Sequence, residues 1–420
     1  MSTLLKFENA FGSANPHALA CILEASETRR IIAATDIYDI SGMKLWASNQ
    51  PVSASLQRKL LDRQLRKPLE SCLVAEDGVS VVTLANALQA LLQGPSPLAP
   101  VLRAHGARLM KEVVHLPIHP VAQLLLTAAE SARPESFEHA IAAMGLTGAL
   151  VASGGGDTAA IRLAMLAGLL HDLGEMYIAP RHGEAEADRE LDVESYQQLV
   201  VHPHVGSLIV SQLTDYPSAI ARAVAEHHER LDGSGYPHAL PGDKVSPLGK
   251  LLSVVEAALN AVRSPFANLL RASVALRAVP GEFDLRWVGR ISRVASAQPP
   301  VQPAMDHADI AARLDALGEL LSAAELDVDA LAAQSGRPAT KKALELPRFL
   351  LSRLRAGWNE SGLWSAAAMT SGDAAEIEVL EDEIYFRLRA IQRATLLNAG
   401  QLPAAEKAQL MELCESLSMG

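Results

Sequence analysis

Apolar residues recur every three or four positions along the segment from Val101 to Ser296, and this spacing is typical of helices that bury one face. The clearest runs are Leu124–Ala129, Ile161–Leu170, Val205–Leu213 and Ala219–Ala225. Glycine and proline clusters such as Gly154-Gly155-Gly156 and Pro241-Gly242 separate the helical runs, because neither residue continues a helix easily. The pattern predicts an all-helical central region.

Closely spaced prolines mark two linkers, Gly94–Pro100 and Gln298–Pro303. They predict three regions, which are an N-terminal region (residues 1–100), a central domain (101–296) and a C-terminal region (297–420).

The two outer regions differ in character. In the first, the β-prone stretches Arg30–Ile40 and Met43–Ala47 flank a turn at Ser41-Gly42 and predict a hairpin, and a capped helix is predicted from Ser53 to Leu61. The C-terminal region is rich in alanine and leucine and predicts further helices. The expected fold is therefore mainly α, with a small α+β N-terminal region and a helical C-terminal region.

Composition excludes several classes of protein. The 420 residues carry a net charge of -11, which argues against a protein that binds duplex nucleic acid. No apolar stretch is long enough to predict a membrane span, and the N-terminus lacks the pattern of a signal peptide. Cys21, Cys72 and Cys414 lie far apart and form no CxxC pair, which predicts a reducing, cytoplasmic location.

Histidine and lysine are distributed unevenly. Eleven of the 13 histidines lie between His105 and His238, whereas no lysine occurs between Lys111 and Lys244. The central domain is therefore the place to look for metal ligands.

Two motifs stand out there. The pair His171-Asp172 directly follows an apolar helical run, and His227-His228-Glu229 follows another. Adjacent histidines on a helix point about 100° apart, so they can serve two metals, or one metal and a substrate. The second motif continues into Asp232-Gly233-Ser234-Gly235-Tyr236-Pro237, whose glycines allow a tight loop close to a ligand.

Together these motifs resemble the HD-GYP family of HD-superfamily phosphohydrolases, over the part of the chain from Glu135 to about Ile291. The resemblance implies an all-α catalytic domain with two or three divalent metal ions, usually iron or manganese. It also implies hydrolysis of the bacterial second messenger cyclic di-GMP to a linear dinucleotide or GMP.

The family's functional residues map onto individual positions of this chain. The resemblance assigns catalysis to His171 and Asp172. The metal ligands that it implies are Glu135, His139, His171, Asp172, His202, His227, His228 and Glu256. The positions predicted to contact substrate are Glu175, Arg181, Arg230, Gly235, Tyr236 and Pro237, of which Arg181 and Arg230 are cations of this chain that could contact phosphate.

The residue types support this chemistry independently of the resemblance. A mixture of imidazole and carboxylate ligands suits iron, manganese or zinc better than calcium. A carboxylate such as Asp172 can bridge two metals, which would activate a water for in-line attack on a phosphodiester. No GxSxG, P-loop or HExxH motif occurs, so serine-hydrolase, NTPase and zincin chemistry is not indicated.

Three departures from the family pattern leave alternatives open. Glu175 replaces a lysine that contacts phosphate in the family, Glu256 replaces an aspartate, and the stretch Arg181–Arg189 is acidic where the family has a lysine-containing loop. One alternative is a degenerate HD-GYP module that binds ligand or protein without turnover, and another is a phosphohydrolase for a different phosphoester. The expected partners are a cyclic dinucleotide and a signalling protein, which would bind through the Gly235-Tyr236-Pro237 loop or the C-terminal helices. Those helices also make a homodimer an open alternative.

Overall fold

The computed structural model describes residues 11–180, 198–263, 267–302, 307–334, 337–361 and 374–398, with a few positions between 402 and 411. Within these ranges the chain is mainly helical, as predicted. The α-helices in chain order are α1 (Pro16–Ala25), α2 (Ala54–Leu60), α3 (Val81–Gln93), α4 (Ala99–Arg103), α5 (Gly106–Val113), α6 (Pro120–Ala132), α7 (Pro134–Ser153), α8 (Thr158–Leu170), α9 (His202–Leu213), α10 (Ser218–Glu226), α11 (Pro247–Ala261), α12 (Leu269–Ala275), α13 (Leu285–Ser296), α14 (His307–Gln334), α15 (Pro338–Ser361) and α16 (Ala374–Asn398). Short 3-10 helices span Leu69–Cys72 and Leu173–Tyr177.

The strands belong to the N-terminal region and form two small antiparallel pairs. Strand β2 (Ile37–Tyr38) pairs with β3 (Lys44–Trp46), which is the predicted hairpin, and β1 (Ile31–Ala33) pairs with β4 (Leu73–Ala75). The predicted strand Arg30–Ile40 is thus two strands. The chain bends between them, where the amide of Ala34 donates to the carbonyl of Cys72 and the carboxylate of Asp36 accepts from the amide of Ser48.

Two large apolar cores organise the described residues. The first extends from Phe11 to Ile291 and is shared by the N-terminal and central regions. The second joins the end of α12, around Val274, to α14, α15 and α16. The first core places α7, α8, α9, α10 and α11 side by side, so that residues at their ends and in their buried faces meet.

The predicted boundaries at residues 100 and 296 remain predictions. Among the described residues, no helix has both the length and the apolar composition that crossing a membrane requires.

Candidate metal centre

Five helices bring seven of the eight predicted metal ligands together. His139 lies in the second turn of α7, His171 and Asp172 follow the end of α8, and His202 begins α9. The pair His227-His228 directly follows α10, and Glu256 lies in the middle of α11. Except for His139, which is partly exposed, these side chains are buried. Their ligand atoms form two groups, each within 4.8 Å, which are His139/His171/Asp172/Glu256 and Asp172/His202/His227/His228.

The first group is built around one carboxylate oxygen of Glu256. Its Oε2 lies 2.9 Å from Nε2 of His139 and 3.1 Å from Nε2 of His171, and these two nitrogens are 3.2 Å apart. The other oxygen of Glu256 accepts a hydrogen bond of 2.7 Å from the side-chain amide of Asn260. The amide orients the carboxylate, as partners of metal ligands commonly do.

Asp172 belongs to both groups and offers a different oxygen to each. Its Oδ2 lies 3.4 Å from Nε2 of His139 and 3.1 Å from Nε2 of His171. Its Oδ1 lies 3.4 Å from Nε2 of His202 and 3.3 Å from Nε2 of His227. Asp172 therefore has the position of a carboxylate that bridges two metal ions.

Backbone carbonyls set the orientation of three imidazole rings. Nδ1 of His171, His202 and His227 donates to the carbonyl three residues earlier in the chain, at 2.7, 2.6 and 2.6 Å respectively. A neutral ring that donates from Nδ1 presents a lone pair at Nε2. In their neutral form these rings therefore direct Nε2 lone pairs into the space beside the carboxylates, which is the arrangement that a divalent cation requires.

One buried oxygen of Asp172 also indicates that this site holds a cation. Oδ1 is fully buried and makes no hydrogen bond in the described structure, although two ring nitrogens lie within 3.4 Å of it. Leaving a buried carboxylate oxygen without a partner is costly. A divalent ion held by Asp172 and the neighbouring rings would satisfy that oxygen, so the residues fit the metal ions that an HD domain implies.

The titration behaviour of the two groups differs. Burial by itself raises the pKa of Asp172 and of Glu256, but the surrounding imidazoles hold both well below their usual range. Burial lowers the pKa of His171, yet the two carboxylates raise it well above its usual value. Burial lowers the pKa of His227 more than Asp172 raises it, and burial and the neighbouring rings lower that of His228 well below its usual value. Both carboxylates are thus ionised, and the rings of His227 and His228 stay neutral.

Gly174 explains why the chain can bring α9 onto the His171-Asp172 pair. A Cβ at position 174 would overlap the carbonyl oxygen of His202 and lie 2.7 Å from the amide nitrogen of Gly206. The short helix Leu173–Tyr177 therefore contacts the first turn of α9 directly through backbone atoms. This close approach positions His202 next to Asp172.

The segment after the histidine pair, residues 229–242, is named here the GYP loop. The carboxylate of Glu229 accepts from the amides of His238 and Leu240, both at 2.8 Å. The Tyr236 ring stacks on that of His228, with centroids 4.5 Å apart and an angle of 17° between the planes. The loop therefore folds back over the second group of ligands.

The other predicted positions lie in different surroundings. Glu135 is exposed and belongs to neither ligand group among the described residues. Glu175 is buried, and its Oε2 accepts from the hydroxyl of Ser136 at 3.3 Å. Arg230 lies over the ring of Phe283, and Arg181 lies outside the described residues. Gly235 and Pro237 flank Tyr236 in the GYP loop.

Several further residues around the site were not among the predicted site residues. Asn260 orients Glu256, and its spacing of four residues on one helix was the available signal. Glu229 shapes the GYP loop, and its place directly after the histidine pair was visible in the sequence. The guanidinium of Arg263, 3.5 Å from Nδ1 of His139, places a cation beside the first group.

Known proteins are similar to this chain over the region that contains both ligand groups. A family model described as an HD domain matches residues 124–281. The chain is 28% identical over 187 residues to cyclic di-GMP phosphodiesterase PA4108 of Pseudomonas aeruginosa, and this alignment covers 43% of this chain and 44% of that protein. It is 29% identical over 90 residues to 3'3'-cGAMP-specific phosphodiesterase 3 of Vibrio cholerae, and that alignment covers 21% of this chain and 19% of the relative. The chain thus spans less than half the length of these curated relatives.

A solved structure is also similar. Bd1817, a HDG"Y"P protein from Bdellovibrio bacteriovorus, aligns with 65% of this chain and 97% of its own, at 15% identity and a TM-score of 0.35. The family-model match and the similarity to curated relatives cover the same part of the chain as the two motifs. Residues 124–281 match an HD domain, and the His171-Asp172 and Gly235-Tyr236-Pro237 motifs within them resemble those of the HD-GYP family.

Proposed function

We propose that this protein is a metal-dependent phosphodiesterase that hydrolyses cyclic di-GMP, with a linear dinucleotide or GMP as product, in bacterial second-messenger signalling. The proposal rests mainly on the position of Asp172, which offers Oδ1 to one ligand group and Oδ2 to the other. Two adjacent divalent ions can lower the pKa of a shared water and stabilise the oxygens of a phosphodiester during in-line displacement. The names of the curated relatives, which are cyclic di-GMP and 3'3'-cGAMP phosphodiesterases, support this substrate class.

The roles of the side chains follow from the geometry. Asp172 would bridge the ions, while His139, His171 and Glu256 would complete one coordination sphere and His202, His227 and His228 the other. Iron or manganese suits this mixture of imidazole and carboxylate ligands. A third ion near Glu135, and substrate contacts from Arg181, Arg230, Gly235, Tyr236 and Pro237, remain part of the proposal. Cys21 and Cys72 are free thiols, which supports a reducing cytoplasm.

The test uses the full chain after metal removal and reloading with Fe²⁺ or Mn²⁺. Release of linear dinucleotide or GMP from cyclic di-GMP is measured beside 3'3'-cGAMP and a simple aryl phosphodiester. We expect turnover of cyclic di-GMP and a loss of about 10³-fold or more in Asp172→Ala. The control is His115→Ala, because His115 is exposed and belongs to neither ligand group. Metal binding without turnover of any of these substrates would contradict the proposal.

The alternative is an HD-GYP module that binds without turnover, and Glu175 is the residue that tests it. The carboxylate is buried beside Ser136, where the family has a lysine. If Glu175 blocks phosphate binding, Glu175→Gln should raise activity by removing a negative charge. We expect instead that Glu175→Gln keeps the activity within about threefold, since the metal ions supply most of the positive charge. If the wild type is inactive and Glu175→Gln or Glu175→Lys gains a large phosphodiesterase activity, the alternative would be favoured.

A further inference from the structure

The C-terminal helices contact the base of the GYP loop through charged side chains. In α15, Nε of Arg353 lies 3.4 Å from Oδ2 of Asp232, and the same guanidinium donates to the carbonyl of Pro280. The Asp232 side chain is only 7% exposed. Arg353 thus joins a residue of the loop to the segment that follows α12.

The second oxygen of Asp232 stabilises the loop itself. Oδ1 accepts from the amide of Ser234 at 3.0 Å and from its hydroxyl at 2.6 Å. The base of the loop is closed by a bridge between Asp232 and Pro241, and by a hydrogen bond from the amide of Gly242 to the carbonyl of Leu231. Asp232 therefore connects the internal hydrogen bonds of the loop to Arg353.

A second contact reaches the neighbouring residues of the loop. In α16, Arg387 pairs with Glu282, and Glu282 also lies 3.4 Å from Nε of Arg230. The amide of Leu231 donates to the backbone carbonyl of Glu282 at 2.8 Å. Arg230, Leu231 and Asp232, which follow the histidine motif, are thus tied to the C-terminal helices. Asp232 contacts Arg353 of α15 directly, whereas Arg230 and Leu231 contact Glu282, which pairs with Arg387 of α16.

We propose that Arg353 is a positioning residue for the GYP loop, and that the C-terminal helices use it to hold Tyr236 against His228. The role in catalysis rests on the proposed function, whereas the positioning of the loop does not. A single exposed ion pair contributes little, but the Asp232 side chain is almost entirely shielded from solvent, and Arg353 makes a second contact with a backbone carbonyl. Loss of Arg353 leaves this shielded carboxylate without its charged partner, which favours opening of the loop.

The chain offers a matched control on the same helix. Arg348 also lies in α15, and its guanidinium pairs with Asp329 of α14 at 2.9 Å, with both side chains more than half exposed. Arg348→Ala removes the same kind of ion pair within the C-terminal region and leaves the GYP loop untouched. Any effect of Arg353→Ala that Arg348→Ala lacks can therefore be assigned to the contact with the loop.

Hydrogen exchange of the full-length, metal-free protein tests the positioning role without any need for turnover. The informative amides are those of Tyr236, His238 and Leu240, because they donate to His228 and Glu229. We expect them to exchange about tenfold faster in Arg353→Ala than in wild type or Arg348→Ala. Amides of α7 and α8 should not change, which shows that the variant is folded.

Two further variants keep the proposal falsifiable if Arg353→Ala folds poorly. Arg353→Gln retains most of the side-chain volume but should still speed the exchange of the loop amides. Arg353→Lys retains the charge and should slow their exchange part of the way back to the wild-type rate. In the metal-loaded protein, Arg353→Gln should raise KM for cyclic di-GMP more than it lowers kcat. Unchanged exchange of the loop amides in Arg353→Gln, or an equal change in Arg348→Ala, would overturn the proposal. Faster loop exchange in a protein without turnover would support the positioning role and contradict only the proposed function.

Discussion

The Nε2 atoms of His202 and His227 lie 3.1 Å apart, and each ring donates from Nδ1 to a backbone carbonyl. Because burial lowers the pKa of His227, we do not expect a proton to be shared between the two nitrogens. A divalent cation can bind there instead, since both nitrogens can offer it a lone pair. Metal binding should therefore stabilise the folded chain.

The first prediction concerns thermal stability. An ion at about 100 times its Kd contributes about 2.7 kcal/mol, which corresponds to a rise in Tm of about 5–10 °C for a domain of this size. Calorimetry of the metal-free and Mn²⁺-loaded protein measures the rise. His227→Ala should lose much of it and His115→Ala should keep it. An unchanged Tm in the loaded wild type would contradict the assignment of these residues as ligands.

The second prediction separates the two groups by metal content. Asp172 contributes an oxygen to both groups and Glu256 to one of them. We expect about two ions per chain in the wild type, about one in Glu256→Gln, and almost none in Asp172→Ala. Elemental analysis after gel filtration gives the counts. Equal losses in the two variants would show that Asp172 does not bridge.

The third prediction concerns pH. In the metal-free protein the carboxylates hold a proton on His171, because they raise its pKa well above the usual value. A metal must displace that proton, so the affinity of the first group should increase as the pH rises from 6 to 8. His227 and His228 have lowered pKa values, so their group should change little over the same range.

The two groups can be titrated one at a time. Calorimetry of His202→Ala reports mainly on the first group, and Glu256→Gln reports mainly on the second. Repeating each titration in buffers of different ionisation enthalpy counts the protons released. We expect about one proton per ion in His202→Ala and fewer in Glu256→Gln. The same pH slope in both variants would show that the proton on His171 does not compete with the metal.

The fourth prediction tests the close contact at Gly174. Gly174→Ala should destabilise the chain by about 1–3 kcal/mol and also lower its metal content, because its Cβ would push the carbonyl of His202 away from Asp172. The matched control is Gly289→Ala in α13, where no atom lies within 4 Å of the added methyl group. That change should be neutral, or stabilising by up to about 1 kcal/mol. Denaturant unfolding of both variants provides the comparison.

The sequence alone predicted most of the helices and the residue types that meet in the two ligand groups. The pairs His171-Asp172 and His227-His228 are local motifs, and each follows a helix whose apolar period is visible in the sequence. Their residue types already indicate metal binding. Spacing along a helix also indicates which neighbours share a face, as for Glu256 and Asn260.

Only the tertiary structure decided how these motifs combine. It gives one oxygen of Asp172 to each ligand group, and it leaves Glu135 exposed although Glu135 lies only four residues from His139. It buries Glu175 beside Ser136, and it brings Arg353 to Asp232 from 121 positions away along the chain. Such contacts depend on how helices pack across a shared core, and a pattern with a period of three or four residues carries no information about that packing.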